Sequence, residues 1–347
     1  MPEHDPRRQG EPITSRRGFF WVGTDPVAQD SGGTLPRGQM YVQWESPTEV
    51  RHPYPVVLVH GGGGQGLDYL GTPDGRPGWA THLVQEGYTV YVVDRPGHGR
   101  SPHHPDVLGA MAPMMPTEAY LGVFAPEAFA DGHTQWPGDR TPADPVVGQA
   151  VAGTGPMSAD HATIHALEQS RMTELLDQIG PAIVVCHSAG GPAGYLAADA
   201  RPDLVKALVA VETIGPPFAD HPGIVSLDWG LAAAPLKYDP PATDPSELHL
   251  VTDESQSVIP RTLQAQPARR LANLSRMPIA VVTGEASPFI HFDGHLVAFL
   301  EQAGCDVERV RLADHGVHGN GHGVMLEKNN REALQVILDW LDKRTGR

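Results

Sequence analysis

Six short runs of β-branched and apolar residues, at 55–60, 89–94, 182–186, 206–211, 278–283 and 307–312, constrain this chain more than any other feature. Most lack polar alternation, the pattern of a strand buried on both faces. Segments with helical character at 79–86, 159–179 and 291–302 separate several of them, and an amphipathic segment at 332–341 closes the chain. In 159–179, Ile164, Leu167, Met172, Leu175, Leu176 and Ile179 mark an apolar face. Short strands alternating with helices predict an α/β architecture, with a mostly parallel central sheet and helices on both faces. Two earlier runs, 19–22 and 39–44, read as N-terminal antiparallel strands joined through Ser31-Gly32-Gly33. Ligands in such sheets bind beyond the carboxyl ends of the strands, and every candidate polar motif here follows the end of an expected strand.

A length of 347 residues allows one large domain or two small ones. Residues 18–347 are expected to form a single domain, and residues 1–17 a flexible tail whose first part is polar and Pro-rich. The high glycine and proline content, 39 and 34 residues, points to long turn-rich insertions. These fall at about 102–158 and 215–275 and are expected to build a lid together. The first is apolar for a loop: Met111, Met114, Met115, Tyr120, Leu121, Val123, Phe124, Phe129 and Trp136. Met114, Met115 and Phe124 are the candidate substrate contacts, with simple packing onto the core as the competing role.

Acidic residues outnumber basic ones by 41 to 25, a net charge of −16 that argues against nucleic acid and anionic membrane surfaces as partners. No run approaches transmembrane length. Ser15-Arg16-Arg17-Gly18-Phe19-Phe20 has a superficial likeness to a twin-arginine export signal, but residues 21–38 carry no apolar stretch to complete one. The two cysteines, Cys186 in an expected strand and Cys305 at the far end of a later helix, cannot make a disulfide framework. Free thiols suit a reducing compartment, so a soluble cytoplasmic protein is expected. A homodimer is allowed.

The chemistry centres on Val184-Val185-Cys186-His187-Ser188-Ala189-Gly190-Gly191, a strand, a tight turn on a serine, and a helix start. Small residues, Cys186 and Gly190, sit two positions before and two positions after Ser188, as a strained nucleophile turn requires. The bland alternative is a serine that caps the following helix. A serine hydroxyl needs a general base, and the base needs an orienting acid. The late stretch Asp314-His315-Gly316-Val317-His318-Gly319-Asn320-Gly321-His322-Gly323 offers three histidines. His322, between glycines that would let the imidazole swing, is the first choice and His318 the second. Zinc-like spacing of His315, His318 and His322 lacks supporting cysteines or a HExxH pattern, so no metal is expected. His161 and His165, at i and i+4, read as residues along a helix. For the acid, Glu212, Glu285 and Asp293 all follow strands, and residue logic leaves Glu212 and Glu285 level. His60-Gly61-Gly62-Gly63-Gly64 lets backbone N–H groups approach an oxyanion, which assigns the amides of Gly62 and Ala189 to that role. Phosphate binding by this loop is disfavoured, since no Gly-Lys-Ser/Thr follows, and dinucleotide binding because the GxGxxG spacing lacks its downstream acidic partner. Asp94-Arg95-Pro96-Gly97-His98-Gly99-Arg100-Ser101 reads as a structural turn, with His98 not catalytic.

In the order of these motifs the chain resembles the α/β-hydrolase superfamily from about Gln39 to the C-terminus. More closely, it is similar to a small branch of bacterial serine esterases. The shared stretches are Arg16-Arg17-Gly18-Phe19-Phe20-Trp21-Val22-Gly23, Gln39-Met40-Tyr41-Val42, and Gly316-Val317-His318-Gly319-Asn320-Gly321-His322. That resemblance implies Glu212, in Val211-Glu212, as the acid and His322 as the base. It also implies paired cysteines after His-Gly in the oxyanion loop, where this chain has Gly62-Gly63.

The expected activity is hydrolysis of carboxylic esters or lactones through an acyl-enzyme on Ser188, without a cofactor. Serine at the nucleophile position argues against dehalogenase or epoxide-hydrolase chemistry, which in this fold uses aspartate. Acyl transfer, carbon–carbon bond hydrolysis and a non-catalytic ligand-binding role are the alternatives.

Overall fold

The computed structural model describes residues 12–221, 225–255 and 258–346. Its central sheet has eight strands: β1 (Ser15–Val22), β2 (Met40–Pro47), β3 (Val56–Val59), β4 (Val90–Asp94), β5 (Ala182–His187), β6 (Val205–Val211), β7 (Pro278–Thr283) and β8 (Asp306–Arg311). They lie in the order β1-β2-β4-β3-β5-β6-β7-β8. β1 pairs antiparallel with β2, and β2 with β4. Every other neighbouring pair is parallel. The six expected strands are present to within one residue at each end.

β1 begins at Ser15, within the segment expected to be a tail, and its register runs from Ser15 opposite Pro47 to Val22 opposite Met40. Ser15 Oγ donates to Glu45 Oε1 at 2.6 Å. The expected tail therefore shortens, because Ser15, Arg16 and Arg17 have backbone partners on β2. Its residues 1–11 lie outside the described residues.

The longer helices are α1 (Trp79–Gln85), α2 (Thr117–Phe124), α3 (Pro145–Ala152), α4 (His161–Ile179), α5 (Gly191–Ala200), α6 (Asp293–Gln302) and α7 (Asn330–Thr345). Alternate residues of each parallel strand point to opposite sides of the pleat, which divides the apolar side chains into two layers. Val57, Val59, Val184, Cys186, Leu208, Ala210, Ile279 and Val281 pack with α4, α5 and α6. Val56, Leu58, Ile183, Val185, Val209, Val211, Ala280 and Val282 pack with α1 and α7.

The two insertions part company here. α2 and α3 belong to the first, and Tyr120, Leu121, Ala125, Trp136 and Val147 form a small cluster of their own. The second sends Trp229, Leu231, Leu236, Tyr238, Leu248, Leu271 and Leu274 into the layer that holds α4, α5 and α6. The expected two-part lid is thus corrected. The apolar residues of the second insertion find an existing apolar layer to bury them and complete the core.

Candidate active site

β5 ends at His187 and α5 starts at Gly191, so the chain reverses within Ser188–Gly190. Ser188 has φ 50°, a left-handed backbone that costs a non-glycine residue about 1–3 kcal/mol. The small neighbours are forced by contact. A Cβ on Gly190 would lie 2.2 Å from the His60 carbonyl oxygen, and one on Gly191 would lie 1.8 Å from Thr213 Oγ1. Cys186 occupies a position where glycine is more usual. Gly194 makes room for it, since a Cβ there would lie 2.7 Å from Cys186 Sγ.

The turn presents Ser188 to the late loop between β8 and α7. His322 Nε2 is 3.0 Å from Ser188 Oγ, and His322 Nδ1 is 3.2 Å from Glu212 Oε2. The proton on Nδ1 is assigned by its carboxylate partner. Glu212 stands one residue beyond β6 at φ 48°, the second non-glycine left-handed residue of the site. Gly284 N–H donates to Glu212 Oε1 at 2.7 Å, and Ser287 Oγ–H donates to Oε2. His187 Nε2 hydrogen-bonds the His322 carbonyl oxygen at 3.0 Å. Both Glu212 and His322 are buried. Burial raises the Glu212 pKa and lowers that of His322, because each charged form loses its hydration. Three donors converging on one carboxylate fit the ionised form of Glu212.

The loop after β3 passes beside this turn. A Cβ on Gly62 would lie 3.1 Å from Ala189 Cβ, so the two residues are adjacent across the site. Arg95 organises both. Its Nη2 donates to the Gly61 carbonyl at 2.8 Å and its Nη1 to the Ala189 carbonyl at 3.3 Å. The Gly61 carbonyl and the Gly62 N–H share one planar peptide and point in opposite directions. Arg95 therefore turns the Gly62 N–H away from itself. Ala189 lies in the single turn Ser188–Gly190, and the first N–H groups of such a turn have no partner within it. Arg95 is in turn paired with Glu168 of α4 at 2.7 Å, with both side chains buried.

A cavity of about 990 Å³ opens over Ser188. Its walls include Gly62, Ala189, His322, Met114, Met115, Phe124, Met157 and Phe289. Met114, Met115 and Phe124 thus share one cavity with Ser188. The Phe124 and Phe289 rings stand 5.0 and 4.3 Å from the His322 ring. Asp68 adds a carboxyl whose pKa burial raises to about 7. Among the described residues of the second insertion, only Gly215 lines this space.

The other sequence candidates lie elsewhere. His318 is exposed and pairs with Glu285 at 3.1 Å, so the second-choice base and the rival acid hold each other. Asp293 is bound by Arg311 at 2.8 Å. His165 Nδ1 accepts from Ala233 N–H at 2.9 Å, fastening α4 to the second insertion. The 94–101 segment is a turn in which the Asp94 carboxylate accepts from Gly66 N–H and Arg100 N–H, both at 2.7 Å. Among the described residues, no three His, Cys, Asp or Glu side chains are placed to hold one metal ion.

The alpha/beta hydrolase fold family profile matches residues 54–235, which hold β3 to β6 and Ser188. The chain belongs to the α/β-hydrolase family. A relative described as "Probable secreted lipase phiG", from Fungal sp. (strain ATCC 74256), is 35% identical over 98% of this chain and 92% of its own length. Among solved structures, "The Atomic Resolution Structure of a Novel Bacterial Esterase" superposes with a TM-score of 0.70 at 23% identity. That match covers 99% of this chain and 100% of the other. The fold of this α/β-hydrolase is therefore shared over a whole chain.

Arg95, Glu168, Ser287 and Phe289 were not legible as site residues. Glu168 did leave a signal. It falls at i+4 from Ile164 and i−4 from Met172, in the middle of the apolar stripe of α4. A carboxylate there needs donors to satisfy it, and a buried cation is one partner that can supply them.

Proposed function

We propose that this α/β-hydrolase cleaves carboxylic esters or lactones through an acyl-enzyme on Ser188. In this reading His322 is the general base and Glu212 the acid that orients it. Supporting it above all is the continuous chain from Ser188 Oγ to His322 at 3.0 Å and on to Glu212 at 3.2 Å, at the edge of a roomy cavity. Ser188 Oγ attacks the ester carbonyl as His322 Nε2 takes its proton. The N–H groups of Gly62 and Ala189 receive the oxyanion. His322 then returns the proton to the leaving alcohol. Water attacks the acyl-enzyme by the same route and frees the acid. Met114, Met115 and Phe124 are the wall for the apolar part of the substrate. A relative named as a lipase and a solved structure named as an esterase fit this substrate class.

A relative named as secreted removes support for the cytoplasmic expectation. Burial pushes both free thiols, Cys186 and Cys305, up to about 12, which leaves little reactive thiolate near neutral pH. Among the described residues no helix is long and apolar enough to cross a membrane.

The test is labelling with a fluorophosphonate and hydrolysis of 4-nitrophenyl esters. The wild type should label at Ser188, and Ser188→Ala or His322→Ala should lose kcat/KM by roughly 10³-fold or more. Wild-type hydrolysis by Ser188→Ala would end this reading.

A further inference from the structure

Another buried carboxylate lies close to the base and is used by nothing described above. Glu327 is fully buried and lies five residues after His322 on the same loop. Its Oε1 accepts from Gly321 N–H at 2.9 Å, and its Oε2 accepts from Asn320 Nδ2 at 2.8 Å. A third partner comes from the first insertion: His133 Nε2 is 2.6 Å from Glu327 Oε1, with both side chains out of contact with solvent. Arg140 Nη1 approaches His133 Nδ1 at 3.3 Å, and an arginine can only donate. That assigns Nδ1 as the acceptor and leaves the proton on Nε2, facing Glu327.

The backbone repeats the connection. Gln135 N–H donates to the Gly319 carbonyl at 3.1 Å, and Lys328 N–H to the Gln135 carbonyl at 2.9 Å. The glycines of the late loop gain a different meaning from the one the sequence suggested. A Cβ on Gly321 would lie 2.6 Å from His133 Cε1, and one on Gly319 would lie 2.0 Å from Thr134 Oγ1. These glycines admit the first insertion at close range, where a free swing of the imidazole was expected.

We propose that His133 and Glu327 form a clasp that makes the first insertion and the His322 loop one rigid unit, with Glu327 and His133 as positioning residues for the base. The proposal rests on the serine-hydrolase reading of Ser188 and His322. Glu327 fixes the two residues immediately before His322, Asn320 through its side chain and Gly321 through its backbone. The insertion that walls the substrate cavity thereby also sets where the imidazole stands. The negative charge of Glu327 favours the protonated form of His322, the form that arises when Ser188 gives up its proton. A displacement of the base by about 1 Å can cost on the order of 10²-fold in rate, so a loosened clasp should be read out in kcat.

The experiment compares full-length wild type with Glu327→Gln, His133→Leu and His133→Gln. It measures kcat and KM on a 4-nitrophenyl ester, the rate of fluorophosphonate labelling, and folding by circular dichroism. The Glu327→Gln change keeps the side-chain volume but presents an amide where three donors converge. Expected are a fall in kcat of roughly 10- to 100-fold for Glu327→Gln and His133→Leu with KM little changed, and slower labelling to match. His133→Gln keeps an N–H donor near the place of Nε2 and should recover most of the loss. If Glu327→Gln fails to fold, the two His133 variants decide. Wild-type kcat and labelling rate in folded His133→Leu would overturn the clasp, as would a loss that His133→Gln does not recover. A wild type that does not label at Ser188 would instead bring down the hydrolase reading beneath it.

Discussion

The first and second insertions are alike in sequence character and opposite in use. Both are rich in proline, glycine and apolar residues, and both leave the sheet from strand ends on the side of Ser188. The first walls the cavity with Met114, Met115 and Phe124 and joins the late loop through His133. The second places Trp229, Leu231 and Tyr238 in the layer of α4, α5 and α6. Apolar content therefore says that a segment will be buried, and not what it will be buried against. What separates the two is the surface available to each: a cavity that must stay open, or an apolar layer that must be closed.

The contrast can be broken most directly in the second insertion. Trp229→Ala should cost about 3–5 kcal/mol of stability, measured by denaturant unfolding, while kcat/KM of the folded protein stays within about twofold. A Trp229 variant of normal stability and poor activity would erase the distinction. The reverse pattern belongs to the first insertion. Phe124→Ala should lower kcat/KM for an apolar ester by roughly tenfold and leave stability less affected than Trp229→Ala does.

The same pair of variants separates in pH dependence. In the proposed mechanism His322 must be neutral to accept the Ser188 proton, and burial lowers its pKa below 6.5. The imidazole thus stays neutral as the pH falls through 6.5, and the acidic limb of kcat/KM should lie below that value. Removing the Phe124 ring, 5.0 Å from His322, admits water and restores hydration to the charged form. The limb should then move upward in Phe124→Ala and stay in place in Trp229→Ala. A smaller effect is expected at the rim: Met114 is 54% exposed, and Met114→Ser should change stability by no more than about 0.5 kcal/mol. Its signature is a modest rise in KM for long apolar esters.

Much of this was legible because it depends on local pattern. The Val-rich runs marked the strands, and the small residues around Ser188 announced the turn. The choice between Glu212 and Glu285 was not legible from residues, because both follow strands and what separates them is tertiary. Glu212 turns into the site on a left-handed backbone, while Glu285 is spent on exposed His318. Only the resemblance to a family pointed to Glu212. The fate of the second insertion was hidden for a similar reason, since an apolar loop residue looks the same whether it faces ligand or helix. Arg95 looked like part of a turn, because its partner Glu168 is 73 residues away in the chain.

That last pair bears on the conditions under which the protein can work. Arg95 aims the Gly61–Gly62 peptide, and it does so from a place that dissolved ions do not reach, with Arg95 and Glu168 side chains 4% and 1% exposed. Mobile salt weakens attractions between charges at the surface far more than those sealed inside. The turnover of each folded molecule should accordingly be nearly the same in dilute buffer and in molar brine, even though the acidic exterior will feel the difference.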